Sequence, residues 1–151
     1  MKILIQECKQ ASVTIAGEVI SSIGSGEVIF VGFTQGDSEA LIDKMISKLL
    51  KLRIFPDSEG KTNLSLDQVS GELLVVSQFT LYADVTGGNR PSFVKALKGD
   101  ESQALYNYFV EQLKKQVKVV KTGVFGADMK VSLINDGPFT ILLDSQELYH
   151  E

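Results

Sequence analysis

Two hydrophobic periods share this chain without alternating regularly, which limits it to folds that segregate strands from helices. Ile3, Ile5, Val13, Ile15 and Val19 alternate with polar residues, the spacing of half-buried strands. With a turn at Ala16-Gly17-Glu18 and another at Gly24-Ser25-Gly26, residues 2–33 read as three strands, the run Glu27 to Phe33 being a buried central one. From Asp37 to Leu52 the period becomes helical: Leu41, Ile42, Met45, Ile46, Leu49 and Leu50 share a face, with Lys44, Lys48 and Lys51 elsewhere on the wheel. Arg53-Ile54-Phe55 reads as a short strand before the Pro56-to-Gly60 turn, and Glu72 to Tyr82 as a strong strand. A second helix begins near Asp100, which with Gln103 resembles a capping box, and carries Leu105, Phe109 and Leu113 on one face. Val117 to Lys121, Met129 to Ile134 and Phe139 to Leu143 read as strands. Strands outnumber helices with no βαβ alternation, so the expected class is α+β: one domain over residues 1–151, with a mostly antiparallel sheet or barrel-like core and two main helices.

Length allows this. A chain of 151 residues buries roughly 70% of the surface its unfolded form exposes, enough for a core without disulfides or structural metal. Its apolar runs fall well short of the roughly 20 residues a membrane span needs. Gln6, Glu7, Lys9 and Gln10 interrupt the apolar start before a signal-peptide core forms. A cytoplasmic protein without a membrane partner is expected. One cysteine, Cys8, and one histidine, His150, leave no internal disulfide and no cluster of zinc-ligand spacing, so neither metal nor cofactor is expected. Cys8 reads as a small buried hydrophobe. His150, next to the last residue, is a poor anchor for a Ser-His-Asp or Cys-His apparatus.

Three segments could carry chemistry. Gly24-Ser25-Gly26 leads into a strand rather than a helix and lacks the Gly-Lys-Ser/Thr ending of a phosphate loop. Ser77-Gln78-Phe79-Thr80 places three hydrogen-bonding side chains at the end of an apolar strand. A continuing strand would put Gln78 and Thr80 on one face and Ser77 and Phe79 on the other. Beside it, Ala83 to Pro91, with two adjacent glycines, reads as an exposed loop. Asn135-Asp136-Gly137-Pro138-Phe139-Thr140 lies between two apolar runs and reads locally as a hairpin turn.

Ser77-Gln78-Phe79-Thr80-Leu81 and Asn135-Asp136-Gly137-Pro138-Phe139-Thr140, with Arg53-Ile54-Phe55, Arg90-Pro91-Ser92-Phe93 and Phe125-Gly126-Ala127-Asp128-Met129, together resemble the D-aminoacyl-tRNA deacylases of the bacterial and eukaryotic type. The resemblance spans nearly the whole chain. It implies a homodimer that hydrolyses the ester joining a D-amino acid to the 3′ end of tRNA and also removes glycine mischarged on tRNA. It further implies catalytic residues Ser77, Gln78, Phe79 and Thr80 on the pocket floor. Asn135, Gly137 and Pro138 would bind substrate, with the Gly137-Pro138 bond cis and reaching across the dimer into the neighbour's pocket. Phe125 and Met129 would hold the terminal adenosine. A fixed backbone carbonyl can take the amino group of a D-substrate while leaving no room for an L side chain, and glycine escapes that exclusion.

Two routes remain for hydrolysis: Thr80 as nucleophile, or water attack assisted by the substrate's 2′-hydroxyl, with N–H groups around Phe79 and Thr80 stabilising the oxyanion. The second is favoured because no base for Thr80 is visible. A sequence pI near 5.1 gives no global basic field for RNA. Lys114, Lys115, Lys118 and Lys121, or Lys44, Lys48 and Lys51, form local patches that also suit solvated helix faces. A shallow grip on the acceptor end is expected. Editing of tRNA carrying a small L-amino acid and a non-catalytic RNA 3′-end module are the alternatives.

Overall fold

The computed structural model describes residues 1–150. Alternate residues Ile3, Ile5 and Val13 are buried along β1 (Lys2–Ile15). The chain then reverses at Ala16 and Gly17, with φ of 50° and 81°, the positive values a two-residue hairpin demands. β2 (Glu18–Ile23) pairs antiparallel with the second half of β1, and β3 (Gly26–Gly32) with its first half.

In α1 (Glu39–Lys51), the Ser38 hydroxyl accepts the Leu41 N–H, capping the first turn, and Leu41, Ile42, Met45, Ile46 and Leu49 are buried. β4 (Phe55–Pro56) and β5 (Thr62–Leu64) form a small ribbon whose turn is held by Asp57, which accepts the N–H groups of Glu59 and Lys61. β6 (Glu72–Ser77) runs parallel to β3, and α2 (Gly99–Gln116) leads to β7 (Val120–Thr122), parallel to β6. β8 (Lys130–Asp144) returns antiparallel along the other edge of β1, and α3 (Ser145–Tyr149) follows.

The result is an α+β fold whose mixed sheet runs β2-β1-β3-β6-β7, with β8 on β1. The sheet curls until the Ser21 hydroxyl donates to the Thr122 carbonyl at 2.5 Å, drawing β2 towards β7 and nearly closing it. One core lies between the sheet and the helices, around Ile29, Val31, Leu73, Val75 and Phe109; a smaller one, with Cys8, Val13, Val28 and Leu74, fills the curl. No helix among the described residues is long and apolar enough to cross a membrane.

Several local expectations are corrected. The strand expected over Glu72 to Tyr82 ends at Ser77, and Phe79–Tyr82 forms a 3-10 turn. The hairpin expected at Asn135 to Thr140 is a bulge inside β8: Asn135 pairs with Cys8 and Thr140 with Gln6, so four residues loop out opposite Glu7 alone. The Asp100–Gln103 capping box does not form. α2 opens at Gly99, with φ of 72°, and has no side-chain cap, so Asp100 lies in its first turn. The strands expected at Arg53 to Phe55 and Val117 to Lys121 are Phe55–Pro56 and Val120–Thr122, and α3 is a third helix not anticipated.

Candidate functional site

β6 is buried from Leu73 to Val76 because it lies between β3 and β7. The parallel ladder runs one step past the strand, the Gln78 N–H donating to the Val31 carbonyl at 2.7 Å. There the chain leaves the sheet and turns, which places the four polar-segment residues differently from an alternating strand. The Gln78 amide donates to the Thr80 hydroxyl at 2.6 Å. Phe79, 46% exposed, meets Phe93 edge to face with ring centroids 5.1 Å apart. The N–H groups of Phe79 and Thr80 donate to no acceptor among the described residues.

This turn forms one wall of a cavity of about 520 Å³ at the ends of β3 and β6. Ser77, Gln78 and Phe79 line it; Phe125, Gly126, Ala127 and Met129 face them from the segment before β8. Phe125 is braced by Tyr106, with centroids 5.6 Å apart, and the Tyr106 hydroxyl donates to the Val75 carbonyl. Gly123 leaves room for the Met129 sulfur, which a side chain there would strike. Two expected regions, distant in sequence, therefore share one cavity.

Other expected residues lie outside it. Thr80 is exposed beside the cavity, joined to it through Gln78. Gly137 and Pro138 are exposed at the bulge, and their peptide bond is cis. Asn135 supports that bulge: its amide donates to the carbonyls of Glu7 (2.8 Å) and Phe139 (3.0 Å), and its oxygen accepts the Thr140 hydroxyl. Lys98, Gly99 and Ser102 line the cavity and were missed from sequence, because nothing local in Lys98-Gly99 shows that α2 points its first turn at Ser77. The lysines of the expected patches, Lys114, Lys115, Lys118 and Lys121 together with Lys44, Lys48 and Lys51, are exposed.

Among the lining residues Lys98 alone is charged, and none is a carboxylate, histidine or cysteine. The perturbed acids lie elsewhere. Burial, and then the neighbouring Glu7, raises Glu27 to about 8; burial, and then Asp136, raises Glu7 to about 6. Asp84, where the exposed loop begins, is drawn down to about 2 by the Thr86 hydroxyl and N–H and by Lys95. Backbone bonds between Asp84 and Ser92 close that loop beside Phe93. The cavity thus offers apolar faces, neutral hydrogen-bonding groups and free backbone donors. That set suits binding a planar base and stabilising an oxyanion.

The family model described as D-Tyr-tRNA(Tyr) deacylase matches residues 4–144. A D-aminoacyl-tRNA deacylase of Clostridium acetobutylicum is 50% identical over 149 residues, covering 99% of this chain and all of that protein. One of Variovorax paradoxus is 52% identical over 143 residues, covering 95% of this chain and 98% of its own. Among solved structures, one titled c-Myc DNA Unwinding Element Binding Protein superposes with a TM-score of 0.90 at 41% identity, covering 95% of this chain and 98% of the other. A probable eukaryotic D-amino acid tRNA deacylase shares the fold, with a TM-score of 0.83 at 18% identity over 94% of this chain and 97% of its own. Matched along nearly its whole length, the chain belongs to the D-aminoacyl-tRNA deacylase family, hydrolases of the ester bond of aminoacyl-tRNA.

Proposed function

We propose that this deacylase works in the cytosol as a homodimeric chiral proofreader. It releases D-amino acids, and glycine mischarged on tRNA, with Ser77, Gln78, Phe79 and Thr80 around the reacting ester and Phe125 and Met129 around the terminal adenosine. The observation that carries this is the single cavity in which Ser77 to Phe79 face Phe125 and Met129, next to the free N–H groups of Phe79 and Thr80.

Water adds to the ester carbonyl carbon, assisted by the substrate's 2′-hydroxyl. The carbonyl oxygen becomes an oxyanion that accepts from the Phe79 and Thr80 N–H groups. Collapse breaks the bond to the ribose 3′-oxygen, which takes a proton, and the amino acid departs as its carboxylate. The Thr80 hydroxyl serves the pocket rather than attacking, since it accepts from Gln78 and no carboxylate or imidazole lines the cavity.

The dimer reading rests on β8. Among the described residues this 15-residue strand pairs with β1 alone, which leaves its outer edge free, and Ile134 and Leu142 on it are 49% and 50% exposed. The bulge stands out from the same strand, so Gly137 and Pro138 of a second copy can reach this cavity and present a backbone carbonyl to the substrate's amino group. An L side chain would collide there, and glycine would not.

The test is deacylation of matched D-tyrosyl-tRNA and L-tyrosyl-tRNA with EDTA present. Rapid loss of the D-ester alone is expected. Loss of both esters would refute the chirality argument, and loss of neither, with tRNA still bound, would make the protein a binding module.

A further inference from the structure

We infer that the first turn of α2, with Lys98 and Ser102, is a phosphate site, and that it takes the phosphodiester on the 5′ side of the terminal adenosine. This rests on the reading of the cavity as the terminal-nucleotide site and extends it from the base and ester to the backbone.

Gly99 and Ser102 lie three residues apart at the start of an 18-residue helix, Lys98 is the extended residue just before it, and all three line the cavity. A helix start carries partial positive charge and N–H groups without intrahelical partners. Here no side chain caps it. The Lys98 ammonium has no ion pair or hydrogen bond among the described residues.

Ser102 supplies the independent sign. It is 5% exposed, yet its hydroxyl bonds to no described residue while facing the cavity. Among the described residues the fully buried side-chain atoms without partners are at Glu27 and Tyr82, so the Ser102 hydroxyl opens onto the cavity and is free to donate to a ligand there. Gly99, at φ of 72°, adds no side chain between the helix start and a ligand, and a Cβ there would meet nothing within 4 Å. Asp100 and Glu101 occupy the same first turn but do not line the cavity, which leaves Lys98 as its one charge.

The chemistry is then laid out along the wall. Free N–H groups and Ser77 to Phe79 stand at the ester, Phe125 and Met129 at the base, and a cation with amide and hydroxyl donors at the α2 end. A nucleoside monoester or diester satisfies the last set, and a neutral nucleoside leaves it empty. A single lysine and one helix start also agree with the shallow RNA grip expected from the acidic composition.

Calorimetry with adenosine and with adenosine 5′-(methyl phosphate), which carries one charge like an internal diester, tests the site. The phosphorylated probe is expected to bind about tenfold more tightly at low salt. Lys98→Ala should remove most of that advantage and Ser102→Ala several-fold of it, both leaving adenosine affinity within twofold. Inorganic phosphate alone should not displace adenosine. Equal affinity for the two probes, an advantage that survives Lys98→Ala, or no binding of either probe would overturn the phosphate site. Each can occur in a protein that still deacylates D-tyrosyl-tRNA, so loss of this inference and loss of the functional reading are separately visible.

Discussion

Gly32 and the Gln78 carbonyl oxygen stand so close that a Cβ on Gly32 would lie 2.7 Å from that oxygen. The missing side chain lets β3 approach the point where the chain leaves β6, and the Gln78 N–H holds it there through Val31. The position of the Phe79 and Thr80 N–H groups therefore depends on a glycine on the neighbouring strand.

Gly32→Ala should push that carbonyl aside and misalign both N–H groups. Misplacement by an ångström lowers rates by about 10²-fold, and overpacking costs about 1–3 kcal/mol. Single-turnover hydrolysis of D-tyrosyl-tRNA and a thermal melt measure the two effects. A variant that melts lower but turns over normally would show that this approach serves packing alone.

Thr80→Ala removes the hydroxyl that accepts from Gln78 at 2.6 Å. One neutral hydrogen bond is worth roughly 0.5–1.5 kcal/mol, so the single-turnover rate should fall by about tenfold or less. A loss of several orders of magnitude with substrate binding intact would restore Thr80 as the nucleophile.

Asn135→Ala strands the carbonyls of Glu7 and Phe139 that its amide serves. Stability should drop by about 2 kcal/mol in a urea melt. Because the bulge carrying Gly137 and Pro138 loses its tie to β1, the ratio of D-ester to L-ester hydrolysis should fall as well. An unchanged ratio would mean the bulge is held by other contacts.

Glu27 faces Glu7 across the β1–β3 ladder, is 1% exposed, and its Oε2 has no partner. Its carboxyl is raised from 4.5 to about 8, first by burial and then by Glu7. Between those pH values the folded chain binds a proton that the unfolded chain releases, so stability should fall as pH rises through that window. Glu27→Gln should flatten the decline. At pH 8 the variant should melt on the order of several degrees above the parent, and scans from pH 5 to 9 decide it. Parallel Tm profiles for the two proteins would be incompatible with a proton held at Glu27.

Elements whose signal is local were legible in the chain itself. The alternation in β1, the helical period of α1 and the turn at Ala16-Gly17 each report a buried face or a φ requirement set by near neighbours. The segments around Ser77, Phe125 and Gly137 were legible too, as a family pattern. Tertiary structure alone decided where they stand, because each misjudged feature depends on a partner far along the chain. β6 ends at Ser77 because its pairing with β3 ends at Val31, and after the Gln78 N–H bond to the Val31 carbonyl the chain turns away from the sheet. Asn135 to Thr140 bulges rather than turns because both halves of β8 pair with the same strand, β1. The start of α2 faces the cavity because α2 packs its Tyr106, Phe109 and Leu113 face into the sheet's core, and that packing aims Lys98 and Ser102 at residues more than twenty positions away. Periodicity records which side of an element is buried; ladder register and packing direction arise only when distant elements meet.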